Sequence, residues 1–210
     1  KMKLFRLGVE DFGISPTGKL PEYFQIVSCS SIIPLKRLAL IAEVLNSSKL
    51  PIRWTHFGGE SSAIKELQNS LPKLRDEIEI VWKGKVENNE IQSFYASNYI
   101  DLLINLSSYE GIPVSMMEAI SFGIPLFSNS VGGIPEITSE KTGVLVLEGL
   151  PVKSLVSQLE DFLLSGKTRD LKFRTEVKQF WAMNFSAQHN HKLVIQHLFE
   201  NAFSISKQFR

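Results

Sequence analysis

The sequence predicts an α/β fold: a Rossmann-like doubly wound parallel sheet with helices on both faces and carboxyl-terminal helices. Three observations point there. Short apolar runs alternate with stretches of helical spacing between Phe24 and Leu147, the order that builds parallel strands joined by crossover helices. Runs such as Leu102 to Leu106 are apolar at nearly every residue, which suits strands buried on both faces. From Pro151 onward the spacing is helical throughout.

Residues 1 to 22 are broken by Gly8, Gly13, Pro16, Gly18 and Pro21 and read as an interdomain segment. Residues 23 to 185 read as one Rossmann-like domain and 186 to 210 as a closing helix. Phe24 to Cys29 is the first strand. Leu38, Ile41, Ala42 and Leu45 recur at helical spacing within a helix over 36–45. Ile52 to Phe57 is a strand. A helix follows from Ser61 to about Leu71, with Ser61 or Ser62 as the expected cap and Pro72 as its stop. Ile78 to Trp82 is a strand closed by Gly84, and Asn88 to Ala96 a short helix. Leu102 to Leu106 is a strand, and Pro113 to Phe122 a helix ended by Gly123. Ile124 to Phe127 and Gly143 to Leu147 are the last strands, before helices over about 151–165, 169–183 and 186–206. Open sheets of this kind bind ligands at the carboxyl ends of their strands. The loops after the strands are therefore where a site is expected.

Composition narrows the function. A chain of 210 residues with 43% apolar content can bury a sizeable core. Its 23 basic and 22 acidic residues leave a net charge of +1, which gives no electrostatic basis for nucleic acid as a partner. Cys29 is the sole cysteine, so neither a disulfide framework nor a thiolate zinc site is expected; this fits a cytoplasmic protein. No apolar run reaches the roughly 18 residues of a membrane span. Lys1 to Phe5 lacks the features of a secretory signal. His189, His191 and His197 read as surface or core positions, because residues two apart do not share a helix face. His56 reads as structural. Gly13-x4-Gly18-Lys19 imitates a P-loop, but Leu20 stands where the metal-binding hydroxyl belongs and no strand precedes it.

The segment from Ser107 to Glu136, SSYEGIPVSMMEAISFGIPLFSNSVGGIPE, carries the chemistry. A strand ends at Leu106, Gly111 permits close backbone approach, and Pro113 falls near the first helical position, where its missing N–H costs nothing. The amides of Gly111, Ile112 and Val114 would then surround a positive helix end, a place for a phosphate or diphosphate. Hydrogen bonds to such a charged group contribute about 1.5–3 kcal/mol each. Glu118, inside the helix, could accept from two neighbouring ribose hydroxyls. Glu110, on the loop before it, could accept from a sugar hydroxyl near the phosphate.

Glu110 and Glu118, with seven residues between them, resemble the E-x7-E signature of retaining glycosyltransferases of the GT-B fold, in particular glycosyltransferase family four. Ser107-Ser108-x-Glu110-Gly111-x-Pro113, Glu118-Ala119-x-x-x-Gly123-x-Pro125 and Gly132-Gly133-Ile134-Pro135-Glu136 extend the resemblance in the family's order. Pro34-Leu35-Lys36-Arg37 is similar to its P-x-K segment, Phe57-Gly58-Gly59 to its glycine turn, and Trp82 to Val86 to the strand end against the nucleobase. Upstream, Ser30-Ser31 stands where Gly-Arg is usual.

The resemblance implies a nucleotide-sugar donor of UDP or GDP type, with no metal or other cofactor. It gives Lys36 and Glu110 catalytic roles. Glu118, Gly111, Ile112, Pro113, Val114, Val86, Arg37 and Gly58 would bind the donor. It implies an additional amino-terminal acceptor domain as partner, against which the last helix would pack. Membrane contact would be peripheral at most, through that domain, and the present residues alone would perform no transfer. Two other readings stay open: another GT-B enzyme such as an epimerase or phosphorylase, and a nucleotide-sugar-binding module without activity, which Ser30-Ser31 favours.

Overall fold

Apolar runs that pair side by side must hide both faces, and the six strands among the described residues do so in one parallel sheet. The computed structural model describes residues 5–16 and 20–208, with side chains as far as Phe199; the second half of the P-loop imitation lies outside the described residues. The strands are β1 (Phe24–Cys29), β2 (Ile52–Phe57), β3 (Ile78–Gly84), β4 (Leu102–Asn105), β5 (Leu126–Asn129) and β6 (Gly143–Val146), in the spatial order β3-β2-β1-β4-β5-β6. The sheet is thus laid down outward from β1 to β3, then from β4, beside β1, out to β6. This reversal leaves a crevice at the carboxyl ends of β1 and β4, the place where doubly wound sheets bind ligands.

Strands β1 and β2 pair from Phe24 opposite Ile52 to Cys29 opposite Phe57, while β1 meets β4 only at Ile26–Leu102 and Val27–Leu103. Beyond those two pairs the strands diverge, which opens the crevice. Ile26, Val27, Trp54, Leu102 to Ile104, Leu126 and Phe127 form the centre of the core and are at most 1% exposed.

The helices are α1 (Leu38–Ser47), α2 (Ser61–Ser70), α3 (Asn88–Ser97), α4 (Val114–Ser121), α5 (Val152–Leu164), α6 (Leu171–Asn184) and α7 (Ala187–Gln208). Three boundaries differ from the sequence reading for a visible reason. Lys36 closes a 3-10 turn over Pro34–Lys36, and α1 begins only at Leu38, because Arg37 adopts a left-handed conformation (φ 48°, ψ 42°) that breaks the helix. Glu60, not Ser61 or Ser62, is the N-cap of α2, and both serines lie inside the helix. Strand β5 starts at Leu126 because Ile124 turns back to donate to the Ala119 carbonyl at 3.0 Å.

The amino-end face of the sheet is closed by charge. Asp101, fully buried, accepts from the Gln25 amide at 2.8 Å and from Arg169 Nε at 2.7 Å. Burial pushes the Asp101 carboxyl up, and Arg169 opposes that shift.

Among the described residues before β1 no helix or strand forms, and Val9 ties this segment to the start of α7. Val9 N–H donates to the Phe185 carbonyl and Ala187 N–H to the Val9 carbonyl, both at 2.9 Å. Arg6 also reaches Glu136 Oε2 at 3.1 Å. Helix α7 leaves Leu193, Ile195, Leu198 and Phe199 exposed.

Candidate functional site

Two loops face each other across the crevice, one after β1 and one after β4. The first carries Lys36 on its 3-10 turn and the second carries Glu110. Lys36 Nζ donates to Glu110 Oε1 at 2.7 Å, and Asn105 Nδ2, at the end of β4, donates to the same oxygen at 3.2 Å. The pair is mostly screened from solvent, with side chains 22% and 10% exposed. The loops are also joined by backbone, since Ser108 N–H donates to the Leu35 carbonyl at 2.8 Å.

Arg37 stands apart from this pair. Its left-handed backbone sends the guanidinium to Glu148, after β6, at 2.6 Å. Glu148 in turn accepts from Asn129, whose Nδ2 also donates to the Ser107 carbonyl at 2.6 Å. Arg37 therefore braces the two crevice loops from the far side rather than entering the crevice.

The glycine pair after β5 acts on Glu110 through backbone. Gly132, at φ 51°, lies so close that a β-carbon there would stand 1.8 Å from the Glu110 carbonyl oxygen. Gly133 N–H donates to that oxygen at 3.3 Å. Only a residue without a side chain permits this contact, so the pair holds Glu110 and Gly111 in place from behind.

Pro113 is the N-cap of α4 rather than its first helical residue, with extended ψ of 129°. Among the described residues, the amides of Gly111, Ile112 and Val114 donate to no carbonyl or side chain of the chain. They stand at the positive end of α4, an arrangement suited to an anion.

Glu118 lies within α4 and is 6% exposed. Burial pushes its carboxyl up, and a hydrogen bond from Asn88 opposes that shift. Asn88 Nδ2, at the start of α3, donates to Glu118 Oε1 at 2.7 Å.

The ends of β1, β2 and β3 are stitched together beside the crevice. Gly58 N–H donates to the Gly84 carbonyl at 2.7 Å, and a β-carbon on Gly58 would stand 2.1 Å from the Ser30 carbonyl oxygen. Val86, half-buried, packs against the core just beyond. Beneath these ends, Trp54 Nε1 donates to Ser28 Oγ at 2.8 Å, and Ser28 Oγ lies 2.7 Å from His56 Nδ1. Burial lowers the His56 pKa to about 4, so its ring is neutral at physiological pH and structural.

Lys36, Glu110, Gly111, Ile112 and Val114 thus converge at the crevice, with Glu118 one helix turn further along. The sequence reading missed Asn88 and Asn105, which hold the two glutamates. Asn105 is adjacent enough for its contact to be suspected, whereas Asn88 is separated from Glu118 by a helix and a strand and sends no local signal. Among the described residues, no three His, Cys, Asp or Glu side chains are placed to hold a metal ion, and no helix is long and apolar enough to cross a membrane.

The family model for glycosyl transferases group 1 matches residues 11–179. Sulfoquinovosyl transferase SQD2 of Arabidopsis thaliana is 30% identical over 155 residues, 72% of this chain and 29% of that protein. Amylovoran biosynthesis glycosyltransferase AmsK of Erwinia amylovora is 28% identical over 160 residues, 71% of this chain and 39% of that protein. Among solved structures, Anabaena Alr3699/HepE in complex with UDP and glucose matches with a TM-score of 0.75 at 16% identity, covering 94% of this chain and 57% of that one. The lipopolysaccharide outer core galactosyltransferase WaaB in its apo form matches with a TM-score of 0.72 at 16% identity, covering 95% of this chain and 56% of that one. At this identity the structural likeness speaks to the fold. The chain spans 29–39% of these curated relatives and little more than half of these solved chains.

Proposed function

Because the chain belongs to the glycosyl transferases group 1, we propose that it forms the donor-binding half of a retaining enzyme of glycosyltransferase family four. That enzyme moves a sugar from a nucleoside diphosphate to an acceptor hydroxyl. The observation that carries the reading is the meeting of Lys36 and Glu110 at 2.7 Å beside the unpartnered amides of α4. A diphosphate seated on those amides would draw Lys36 as a second source of positive charge. Both would stabilise the charge that develops as the sugar bond breaks, and fixed donors of this kind supply the largest share of many rate enhancements.

Glu110, its oxygen shared with Asn105 and Lys36, would accept from a donor-sugar hydroxyl and orient the ring. Glu118 would accept from the ribose hydroxyls, with Gly58, Gly84 and Val86 bordering the base. Acceptor recognition belongs to a further domain of the enzyme. Polysaccharide or glycolipid synthesis is the setting that fits, given that the Erwinia amylovora relative is named for amylovoran biosynthesis.

Calorimetric titration with UDP, GDP and ADP, without metal, tests the reading. Binding of one nucleotide by the chain and its loss in Glu118→Ala are expected. Equal binding by the chain and the variant would sink the donor-site assignment.

A further inference from the structure

Glu118 is a buried carboxylate, and among the described residues it forms no ion pair. Cys29 on β1 and Tyr95 on α3 interact with it electrostatically, and both are neutral at physiological pH: burial pushes the Cys29 thiol up to about 11 and the Tyr95 phenol well above its ordinary value. Among the described residues, Asn88 is the one side chain that donates to the Glu118 carboxylate, through Nδ2 to Oε1 at 2.7 Å.

The local structure frees Asn88 for this role. Glu87 caps α3, its side chain accepting from the Glu90 amide while Glu90 Oε1 accepts from the Glu87 amide at 3.3 Å. This reciprocal capping box anchors the start of α3 and leaves the adjacent Asn88 amide unneeded for the helix end. A carboxylate only accepts hydrogen bonds, whereas an amide nitrogen only donates. Asn88 must therefore turn Nδ2 toward Glu118, and this fixes both side chains. Oε1 is held, while Oε2 has no partner among the described residues.

We propose that Asn88 is a positioning residue: it holds Glu118 by one oxygen so that the carboxylate meets the ribose hydroxyls in one orientation, and it thereby sets the preference for a ribonucleotide over its 2′-deoxy form. This rests on the proposed ribose role of Glu118. Asn88 itself need not touch the nucleotide, and its effect passes through the carboxylate it holds.

The test is calorimetric titration of the full chain and of Asn88→Ala, Asn88→Asp and Glu118→Ala with UDP and 2′-deoxy-UDP, and with GDP and 2′-deoxy-GDP. Circular dichroism confirms that each variant is folded. In Asn88→Ala, ribonucleotide affinity is expected to fall about tenfold, while affinity for the 2′-deoxy form, which keeps one of the two hydroxyls, falls less, so the preference narrows. Asn88→Asp, the same shape with the donor replaced by a like charge, loses at least as much. A preference kept in Asn88→Ala but lost in Glu118→Ala overturns the positioning role alone. A preference kept in both overturns the ribose role and this inference with it. Loss of both affinities in equal measure in Asn88→Ala assigns the residue a structural part only. Absence of binding by the unmodified chain to any of the four nucleotides overturns both.

Discussion

At the scale of single residues, the crevice depends on charges held at short range. Among the described residues, Lys36 is the one cation that the structure brings onto Glu110, and its predicted task is to meet the diphosphate. Lys36→Ala should weaken binding of a nucleoside diphosphate by about tenfold to a hundredfold, the range of one charged hydrogen bond. Binding of the corresponding nucleoside should be unchanged, and calorimetry with both ligands checks this. His56 makes a prediction about stability. Its pKa, about 4 in the folded protein because of burial, lies below the roughly 6.5 of an unfolded chain. The unfolded state therefore binds more protons between those values. The contribution is fully present above about pH 6.5 and is lost as pH falls toward 4, by about 3 kcal/mol. Denaturant unfolding across that window should show the fall, and His56→Gln should flatten it.

At the scale of elements, loops are positioned by one another rather than by their own propensity. The β4–α4 loop is held by Leu35 in front and by Gly132 and Gly133 behind. Because a β-carbon at Gly132 would stand 1.8 Å from the Glu110 carbonyl oxygen, Gly132→Ala must displace that loop. A destabilisation of about 1–3 kcal/mol is expected from the clash, together with loss of nucleotide binding. Chemical denaturation and titration of the same variant report the two effects. Retention of binding would show that Glu110 does not depend on the glycine pair. The short 3-10 turn before α1 has the same character. Arg37 occupies its left-handed conformation while ion-paired to Glu148, which braces the β1–α1 loop against the ends of β5 and β6.

At the scale of the whole molecule, the two ends of the sheet do different work. The carboxyl ends of β1 and β4 spread to form the crevice, while the amino ends are locked by Arg169 on the buried Asp101. Removing one partner of a buried pair leaves an uncompensated charge and costs about 3–5 kcal/mol. Arg169→Ala should therefore lower unfolding stability by about that amount while leaving nucleotide affinity intact, since the pair lies at the opposite end of the strands. Urea unfolding followed by titration separates the two. Exposed Ile195, Leu198 and Phe199, which share one face of α7, form the apolar surface that, in the proposed enzyme, would meet the acceptor domain.

Strands β1 and β2 were legible to the residue, β1 as a short apolar run and β2 through Ile52, Trp54 and Phe57 between the breakers Pro51 and Gly58. Such signals are local and need no partner. The amides before α4 and the place of Glu118 inside the helix follow from the local pattern of glycine, proline and helical spacing, whereas Lys36 was singled out by its resemblance to the P-x-K segment. What the tertiary structure alone decided is which loops meet. The sheet order β3-β2-β1-β4-β5-β6 brings Lys36 to Glu110 and Asn88 to Glu118, contacts between segments far apart in the chain. It also decided the left-handed Arg37, whose guanidinium meets Glu148 only after β6 is in place. Periodicity reports how each segment hides its own apolar face. Polar partners are chosen by the packing of segments on one another, and a single sequence holds no local trace of that.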